Sequence, residues 1–340
     1  MTNLLIRIMF MSLSGSLIAL LLFLTRPLVK FKLSQTWQYY IWLAVIARLL
    51  VPFTPEVSLM SGLYDLFERT TQIEIDIRDI QADTVAGIVL RYIGIVWFSL
   101  SFLLLVKKII SYRAYIRFIE MSRERITDTA ILNLQEKVCR ELGLKRNLAM
   151  YSHKWISSPM LIGFFKPYII LPRILTESTQ GLHYIIKHEL VHYKRKDFLY
   201  KWLIQIMSCI YFWNPVVWLM QNSIYKSCEL SCDENVIRGL DSSGKKAYGS
   251  ALLYAIETSV RYRRASALSL MMCEEAKHIT ERLNAIRRHK KSGIPILAAS
   301  LFLTAAICFG SVYVGVIQTI CINNNCYCNA AITRTLSEGR

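Results

Sequence analysis

The segment at residues 182–197 reads LHYIIKHELVHYKRKD, and its apolar residues recur at the three- and four-residue spacing of an amphipathic helix. This spacing predicts a helix over 176–197. His188 and His192 lie four residues apart, so both imidazoles project from one face, one turn apart. Two imidazoles in this arrangement can bind one tetrahedral metal ion, and the carboxylate of Glu189 beside them can hold a water molecule. The segment therefore predicts a metal site on a helix.

A catalytic metal site of this kind needs a third protein ligand and one open position. Glu229 and Asp233 lie four residues apart within a helix predicted over 215–240, and they share one face of it. The open position favours Glu229 as the third ligand. Asp233 is then expected to accept a hydrogen bond from a ligand histidine and fix its tautomer. Cys228 and Cys232 are the alternative ligands, which would form a closed structural site with the two histidines.

Short apolar runs upstream of the two histidines predict a small β-sheet. The runs cover 147–152 and 159–171, and Gly163 and Pro167 interrupt the second run with a turn. They follow a capped amphipathic helix predicted over 130–142. An extended peptide can add as a strand to the edge of such a sheet through main-chain hydrogen bonds. We expect the second run to form that edge, and a substrate strand to contact Leu161, Ile162, Gly163 and Phe164.

The composition indicates an integral membrane protein. Of the 340 residues, 54% are hydrophobic and 19% are charged, which is more apolar than a soluble globular chain and excludes a disordered one. A transmembrane helix needs about 20 apolar residues. Four segments meet this requirement, and they cover residues 4–25, 37–53, 84–106 and 294–317.

The net charge of +17 indicates orientation in the membrane rather than nucleic-acid binding. Residues 54–84 carry seven acids and two bases, whereas residues 107–293 carry 31 bases and 16 acids. Positive charge near the ends of spans marks the cytoplasmic side and also attracts anionic lipid. We therefore expect membrane lipid but no direct nucleic acid among the partners. The predicted arrangement has both termini and the loop at 54–83 outside, and residues 107–293 in the cytoplasm.

The apolar run at 202–220 cannot be a complete span if the metal site is real. A full crossing would place His188 and Glu229 on opposite sides of the membrane, where they could not share an ion. The dipeptide Asn214-Pro215 supplies a break in the helix. We therefore predict a helical hairpin over 199–221, packed in the core or dipping into the cytoplasmic leaflet, with the metal close to the membrane surface.

These segments together define the predicted fold class, a mostly α membrane protein with about four transmembrane helices. A cytoplasmic α+β metal-binding domain lies between the third and fourth helices. The predicted units are a membrane region at 1–106 with three helices and an acidic extracellular loop at 54–83, a cytoplasmic domain at 107–293, a fourth transmembrane helix at 294–317 and a short extracellular tail at 318–340.

Four motifs carry a resemblance to a known family. They are SPMLIGFFKPYIILP at 158–172, HELVHYKRKD at 188–197, FWNPVVW at 212–218 and ELSCD at 229–233. In these motifs the chain resembles the BlaR/MecR-type family of membrane zinc metallopeptidases, and the similarity covers nearly its whole length.

The resemblance implies a gluzincin-like peptidase of the bacterial plasma membrane. It implies zinc on His188, His192 and Glu229, with Glu189 as the general base, and Asp197 and Asp233 as supports behind the ligands. Full-length members of the family sense β-lactams outside the cell and then cleave themselves and a cytoplasmic repressor. Because residues 318–340 are all that follow the last predicted span, we expect the C-terminal penicillin-binding sensor domain to be missing and direct β-lactam sensing to be absent.

Two functions from different classes follow. The first is a zinc-dependent endopeptidase that hydrolyses a cytoplasmic or membrane-bound protein, which includes itself or a transcriptional repressor, in signal transduction. The second is a non-catalytic signalling scaffold with a structural zinc. The intact pair of histidines with Glu189 between them favours the enzyme. A separate sensor protein or a second copy of the chain is an expected partner in either case.

Overall fold

The computed structural model describes residues 2–29, 33–50, 85–164, 166–177, 181–263 and 270–288. The predicted acidic loop at 54–83, the predicted fourth span at 294–317 and the tail at 318–340 lie outside the described residues.

Helices make up most of the described chain, and four short strands are placed between them. In chain order the elements are α1 (Thr2–Val29), α2 (Gln35–Tyr40), α3 (Trp42–Leu50), α4 (Val85–Ser122), β1 (Arg123–Arg125), α5 (Thr129–Leu142), β2 (Ala149–His153), β3 (Met160–Ile162), β4 (Tyr168–Pro172), α6 (Arg173–Thr176), α7 (Leu182–Arg195), α8 (Asp197–Ile210), α9 (Pro215–Ile237), α10 (Ser242–Arg263) and α11 (Leu270–Arg288).

Two of the described helices are long and apolar enough to cross a membrane. These segments are Arg7–Arg26 within α1 and Gly87–Ser122 within α4, which overlap the first and third predicted spans. The second predicted span is helical, but it is interrupted at Ile41 and divided between α2 and α3. The count of four spans therefore stays a prediction.

Helix α4 continues past the boundary that the sequence predicts at 106. Its 38 residues run unbroken to Ser122, a length of about 57 Å at 1.5 Å per residue. That is nearly twice the hydrocarbon thickness of a bilayer, about 30 Å. Lys107 and Lys108 change the polarity of the helix at the boundary, but lysine is a good helix former and does not end it.

The sheet has the strand order β1-β2-β4-β3. β2 and β4 are parallel, whereas β1 and β3 pair antiparallel with their neighbours. The predicted run at 159–171 thus forms two strands, β3 and β4. Between them Gly163 has a φ of 100°, and a Cβ there would lie 2.5 Å from the carbonyl oxygen of Lys166, so the turn requires glycine. β3 is an edge strand, as the sequence analysis expects.

Alternating residues of β4 pack on the two faces of the sheet. Ile169 and Leu171 join the apolar residues of α5 and α7 on one face. Tyr168 and Ile170 pack with Ile119 from the end of α4 on the other. The sheet is thereby fixed between the metal-motif helix α7 and the extension of the long helix α4.

The predicted hairpin is formed by α8 and α9, with its turn at residues 211–214. It packs in the core against α1, α2 and α3 through buried side chains that include Ile204, Met207 and Met220. At the turn, the Asn214 amide donates to the hydroxyls of Ser12 and Ser16 at 2.7 Å each, and the Trp97 indole donates to the Ile210 carbonyl at 3.0 Å. The turn is therefore held between α1 and α4, near the middle of their apolar segments.

Candidate metal centre

Helix α7 places His188 and His192 one turn apart and faces them toward α9. Their Nε2 atoms lie 3.2 Å apart, and the two rings are nearly perpendicular at 86°. The opposite, apolar face of α7 fixes the helix against the sheet through Leu182, Ile186 and Leu190.

The carboxylate of Glu229, from α9, meets this histidine pair. Its Oε2 atom lies 3.4 Å from His188 Nε2, and its Oε1 atom lies 3.7 Å from His192 Nε2. Zinc bonds of about 2.0–2.2 Å at tetrahedral angles separate neighbouring donor atoms by about 3.3–3.6 Å. The 3.2 Å between the two Nε2 atoms and the 3.4 Å from His188 to Glu229 are close to this spacing, whereas the other Glu229 oxygen lies 3.7 Å from His192. The structure thus brings together the three residues that the sequence nominates as ligands.

Two buried cysteines on α9 lie close to the same imidazoles. Cys232 has its Sγ atom within 4.8 Å of nitrogens on both His188 and His192, and it donates to the His188 carbonyl at 3.4 Å. The Cys228 Sγ atom lies 4.0 Å from Nδ1 of His192, on the side of the ring away from Glu229. The two cysteines thus do not share one ion position. Cys232 is fully buried, whereas the Glu229 side chain is 25% exposed and lies on the accessible side.

Each histidine has a partner at Nδ1, opposite the nitrogen that faces Glu229. His192 Nδ1 lies 2.7 Å from Asp197 Oδ2. His188 Nδ1 lies 3.0 Å from the Tyr248 hydroxyl and 3.4 Å from Asp233 Oδ1. A carboxylate at Nδ1 holds the ring proton there and leaves the Nε2 lone pair for a metal ion. Asp197 and Asp233 therefore lie behind the two histidines, at the nitrogens that face away from Glu229.

Asp197 also connects the centre to the N-terminal helices. The hydroxyl of Tyr39 on α2 donates to its Oδ1 atom at 3.1 Å, and Arg195 Nε lies 3.2 Å from the same oxygen. The guanidinium of Arg195 in turn lies over the Tyr39 ring, 4.7 Å from its centroid. The residue behind His192 is thus held by an element some 150 residues earlier in the chain.

Arg282 is a residue of the centre that the sequence analysis misses. From α11, its Nε and Nη2 atoms donate to the two oxygens of Asp233 at 2.7 Å each, and its Nη1 atom lies 3.7 Å from Glu229. One buried guanidinium therefore compensates two carboxylates. The sequence does carry one sign of this role. Arg282 lies three residues after Ile279 and four before Ile286, so its charge interrupts the apolar face of a helix.

Tyr248 and Lys201 are also absent from the predicted site. Tyr248, on α10, donates its hydroxyl proton to Asp233 and contacts His188. Lys201, on α8, has its ammonium 3.6 Å from Glu229 Oε1, and it also attracts the carboxylate of Glu189. Neither residue has a local sequence signal, because both reach the centre from helices without the metal motif.

The charges of the centre compensate one another. Burial favours the neutral form of Glu229, but His192, His188 and Lys201 outweigh it and hold the pKa of this carboxyl well below its usual value. Burial likewise opposes protonation of His192, but Cys232 and Glu229 raise its pKa well above the usual value. Since ligand histidines must be neutral, binding of a metal ion here releases protons.

The remaining predicted residues lie beside the metal ligands. Glu189 is 8% exposed and follows His188 on α7. The edge strand β3 packs against α7, with Ile162 buried and Leu161 partly buried. After Gly163, the Phe164 ring packs edge-on against Phe198 at the start of α8, with centroids 5.4 Å apart. The predicted substrate edge and the metal centre are therefore adjacent.

Comparison with known proteins gives a consistent result. Over residues 6–286 the chain matches the family described as BlaR1 peptidase M56. The regulatory protein BlaR1 of Bacillus licheniformis is 27% identical over 199 residues, which cover 58% of this chain and 33% of that protein. The methicillin resistance mecR1 protein of Staphylococcus aureus strain Mu50 is 24% identical over 272 residues, or 72% of this chain and 45% of that protein.

BlaR1 of S. aureus is 24% identical over 267 residues, which are 70% of this chain and 44% of that protein. The chain thus spans less than half the length of these curated relatives. The family match covers most of this chain, and it includes both the metal-motif helix and the helix that carries Glu229. By this match, which agrees with the resemblance in its motifs, the chain belongs to the BlaR1-type M56 peptidase family.

Proposed function

We propose that the chain is a membrane-bound, zinc-dependent endopeptidase that cleaves a cytoplasmic or membrane-bound protein in signal transduction. The observation that carries the proposal is the meeting of His188, His192 and Glu229. The two Nε2 atoms lie 3.2 Å apart, one Glu229 oxygen lies 3.4 Å from His188 and the other lies 3.7 Å from His192, and the Glu229 side chain is partly exposed. A hydrolytic site needs this combination of three ligands and one accessible position.

The residues of the centre divide the reaction among them. His188, His192 and Glu229 would hold a zinc ion, which when bound would supply Lewis-acid polarisation of the scissile carbonyl and of the attacking water. Glu189 takes the proton of that water and passes it to the leaving amine. The edge strand β3 binds the substrate as an added strand and aligns its backbone beside α7.

The contacts of the hairpin support a metal centre near the membrane surface. Arg26 marks the end of the apolar segment of α1, and its guanidinium donates to Ser223 on α9 at 3.1 Å. Glu229 lies six residues further along α9, about 9 Å beyond that level. We infer that the centre lies at the level of the lipid headgroups, on the cytoplasmic side of a bacterial plasma membrane.

Partners follow from this placement. The substrate is a protein that reaches the inner membrane surface, and a transcriptional repressor or the chain itself are candidates. The names of the relatives describe regulation and methicillin resistance, which supports a role in a signalling relay. A separate sensor protein or a second copy of this chain would supply the stimulus, and no nucleic acid is required.

Substitution Glu189→Gln tests the proposal, because it removes the base and keeps the metal ligands. We expect unchanged zinc content and a loss of at least about a hundredfold in cleavage rate, the usual contribution of general base catalysis. New protein N-termini should be compared between cells with the wild-type chain and cells with the variant. Glu136→Gln, at an exposed carboxylate on α5, is the matched control. Identical sets of N-termini would contradict the endopeptidase.

A signalling scaffold with a structural zinc is the second candidate. The position of Cys232 favours it, since this thiol lies within 4.8 Å of both imidazoles and would complete a closed site. A scaffold would retain its biological output in the Glu189→Gln variant, whereas a peptidase would lose it.

A further inference from the structure

A cavity of about 260 Å³ lies beside the metal centre, between α4, α8 and α9. We call it the basic cavity, and its walls are Lys108, Tyr112, Lys201, Trp202, Gln205 and Tyr225. None of these described lining residues carries a carboxylate. Two of them carry ammonium groups, so the cavity has a net positive lining.

Two contacts connect the basic cavity to the reaction site. On one side, the Lys201 ammonium lies 3.6 Å from the metal-facing carboxylate of Glu229. On the other side, the Tyr112 hydroxyl lies beside the backbone of Gly163, where the edge strand β3 ends. The Phe198 ring, one turn before Trp202 on α8, packs against Phe164 of the same edge. A peptide on β3 would therefore pass the mouth of the cavity close to its scissile bond.

The hydrogen bonds of Gln205 indicate that the cavity lining presents hydrogen-bond donors. In the structure, Gln205 Nε2 lies 2.6 Å from the Tyr225 hydroxyl, and the buried Oε1 atom has no hydrogen-bond partner among the described residues. A separation of 2.6 Å is typical of O–H···O bonds and is short for N–H···O bonds. The reversed amide orientation is therefore chemically better, because the Tyr225 hydroxyl then donates to the amide oxygen and still accepts from Gln221 at 3.2 Å.

In the reversed orientation the amide N–H groups of Gln205 are the buried atoms without a partner. The cavity then presents these donors together with the ammonium groups of Lys108 and Lys201. The Lys201 ammonium lies 3.6 Å from Glu229 as an ion pair, and an ammonium group has three N–H donors that a ligand can use. Such a lining stabilises a carboxylate and leaves a neutral amide of the same shape less well bound.

We propose that the basic cavity is a substrate subsite that receives an acidic side chain next to the scissile bond. This specificity rests on the proposed peptidase function, but the cavity can be tested separately from catalysis. A peptide side chain fits the observations better than a lipid headgroup, because the contacts of the cavity connect it to Gly163 on the substrate edge and to Glu229 at the metal centre.

Peptide binding to the Glu189→Gln variant tests the subsite without cleavage. The full chain is placed in phosphatidylcholine nanodiscs with zinc and titrated into fluorescein-labelled octapeptide pools. Each pool has one position fixed as Glu or as Gln and the others randomised. At one position we expect the Glu pool to bind about tenfold more tightly, as a charge complementary to two lysines should. Equal binding at every position would overturn the proposal.

Lys108→Glu, combined with Glu189→Gln, should remove that preference. Lys108 is exposed, so folding should be retained, and Lys108→Gln should give an intermediate preference. Lys107→Glu is the matched control, since this neighbouring lysine does not line the cavity. A Glu preference that survives Lys108→Glu, or that Lys107→Glu also removes, would contradict the assignment to this cavity.

Two further experiments distinguish the substrate subsite from a lipid site and from the peptidase activity itself. Loss of the Glu preference in nanodiscs that contain phosphatidylglycerol would show that a lipid headgroup occupies the cavity, which overturns the proposal. Cleavage of the same pools by the wild-type chain separates the subsite from the enzyme. Cleavage without an acidic preference contradicts the subsite alone, whereas acid-selective binding without cleavage supports the subsite and contradicts the peptidase.

Discussion

The two histidines of the metal centre are supported in different ways. Behind His192 lies Asp197, five residues later in the chain, at the start of the next helix. Behind His188 lie Asp233 and Tyr248, from two other helices, with Arg282 from a third helix behind them. One imidazole is thus oriented mainly by a local turn and the other by long-range packing.

The difference indicates which parts of the chain can influence the metal. Asp197 accepts a hydrogen bond from Tyr39, so His192 is connected to the N-terminal helices. His188 is connected to α10 and α11, which precede the predicted fourth span. The two imidazoles are therefore connected to different parts of the described chain, and a disturbance on either side should affect a different imidazole.

The largest effect is expected on the His188 side, at Arg282. Arg282→Met leaves the buried carboxylate of Asp233 without the guanidinium that donates to both its oxygens, and breaking such a buried pair costs about 3–5 kcal/mol. Thermal and denaturant unfolding in detergent micelles should measure this loss. Arg287→Met, at an exposed position on the same helix, should change stability by less than about 0.5 kcal/mol. If Arg282→Met and Arg287→Met lowered stability equally, long-range support of His188 through Arg282 would be contradicted.

On the His192 side, Asp197→Asn should weaken metal binding. It should have little effect on the packing of α11. Loss of a carboxylate behind a ligand histidine typically lowers metal affinity by about 10- to 100-fold. Competition with a zinc chelator measures the affinity. Asp128→Asn is the control, because Asp128 caps α5 far from the metal and asparagine caps a helix equally well. Unchanged zinc affinity in Asp197→Asn would show that the local support is not needed.

Tyr248→Phe should have a smaller effect than either change. It removes one hydroxyl from His188 and Asp233, a loss of about 1 kcal/mol. Asp233 remains 3.4 Å from His188 Nδ1 and can take over the ring proton. We expect zinc affinity to fall by less than about tenfold. A complete loss of zinc would mean that Tyr248, rather than Asp233, orients the imidazole.

The smallest effect is expected for Cys232→Ala. If Glu229 is the third ligand and the fourth position is open, loss of this thiol should leave zinc content and cleavage close to wild-type values. X-ray absorption of the zinc-loaded chain gives a second readout, because zinc–sulfur bonds of about 2.3 Å are distinct from bonds to nitrogen and oxygen. Loss of zinc in the variant, or sulfur in the wild-type spectrum, would favour the structural site of the scaffold hypothesis.

Much of the fold follows from local patterns in the sequence. The helix end at Gly143, the turn at Gly163 and the helix break at Asn214-Pro215 are each encoded within a few residues, and in the structure a helix ends, a glycine has a positive φ and a new helix begins at these positions. The end of the third apolar helix is different. The charges at Lys107 and Lys108 predict a membrane boundary, but the helix continues to Ser122 because a polarity change does not break backbone hydrogen bonds.

The candidate site divides in the same way. The spacing of His188 and His192 is set by the helical repeat, so their approach to 3.2 Å could be predicted from five residues. Glu229 could be nominated as a ligand from the chemistry of an open metal site. It lies four residues before Asp233, so one helix face carries both a ligand carboxylate and a carboxylate that can support a ligand histidine. Arg282, Tyr248 and Lys201 could not be nominated, since nothing within their own helices indicates which residues they face.

The sequence by itself determined the pair of imidazoles, the carboxylate of Glu189 beside them and the apolar character of the long helices. These properties depend on backbone geometry that repeats every few residues, whatever the rest of the chain does. The tertiary structure decided which groups surround the metal, which side of Glu229 is open and where the basic cavity lies. Those features depend on contacts between residues tens to hundreds of positions apart, and many weak packing interactions of whole helices, rather than any local pattern, fix such distances.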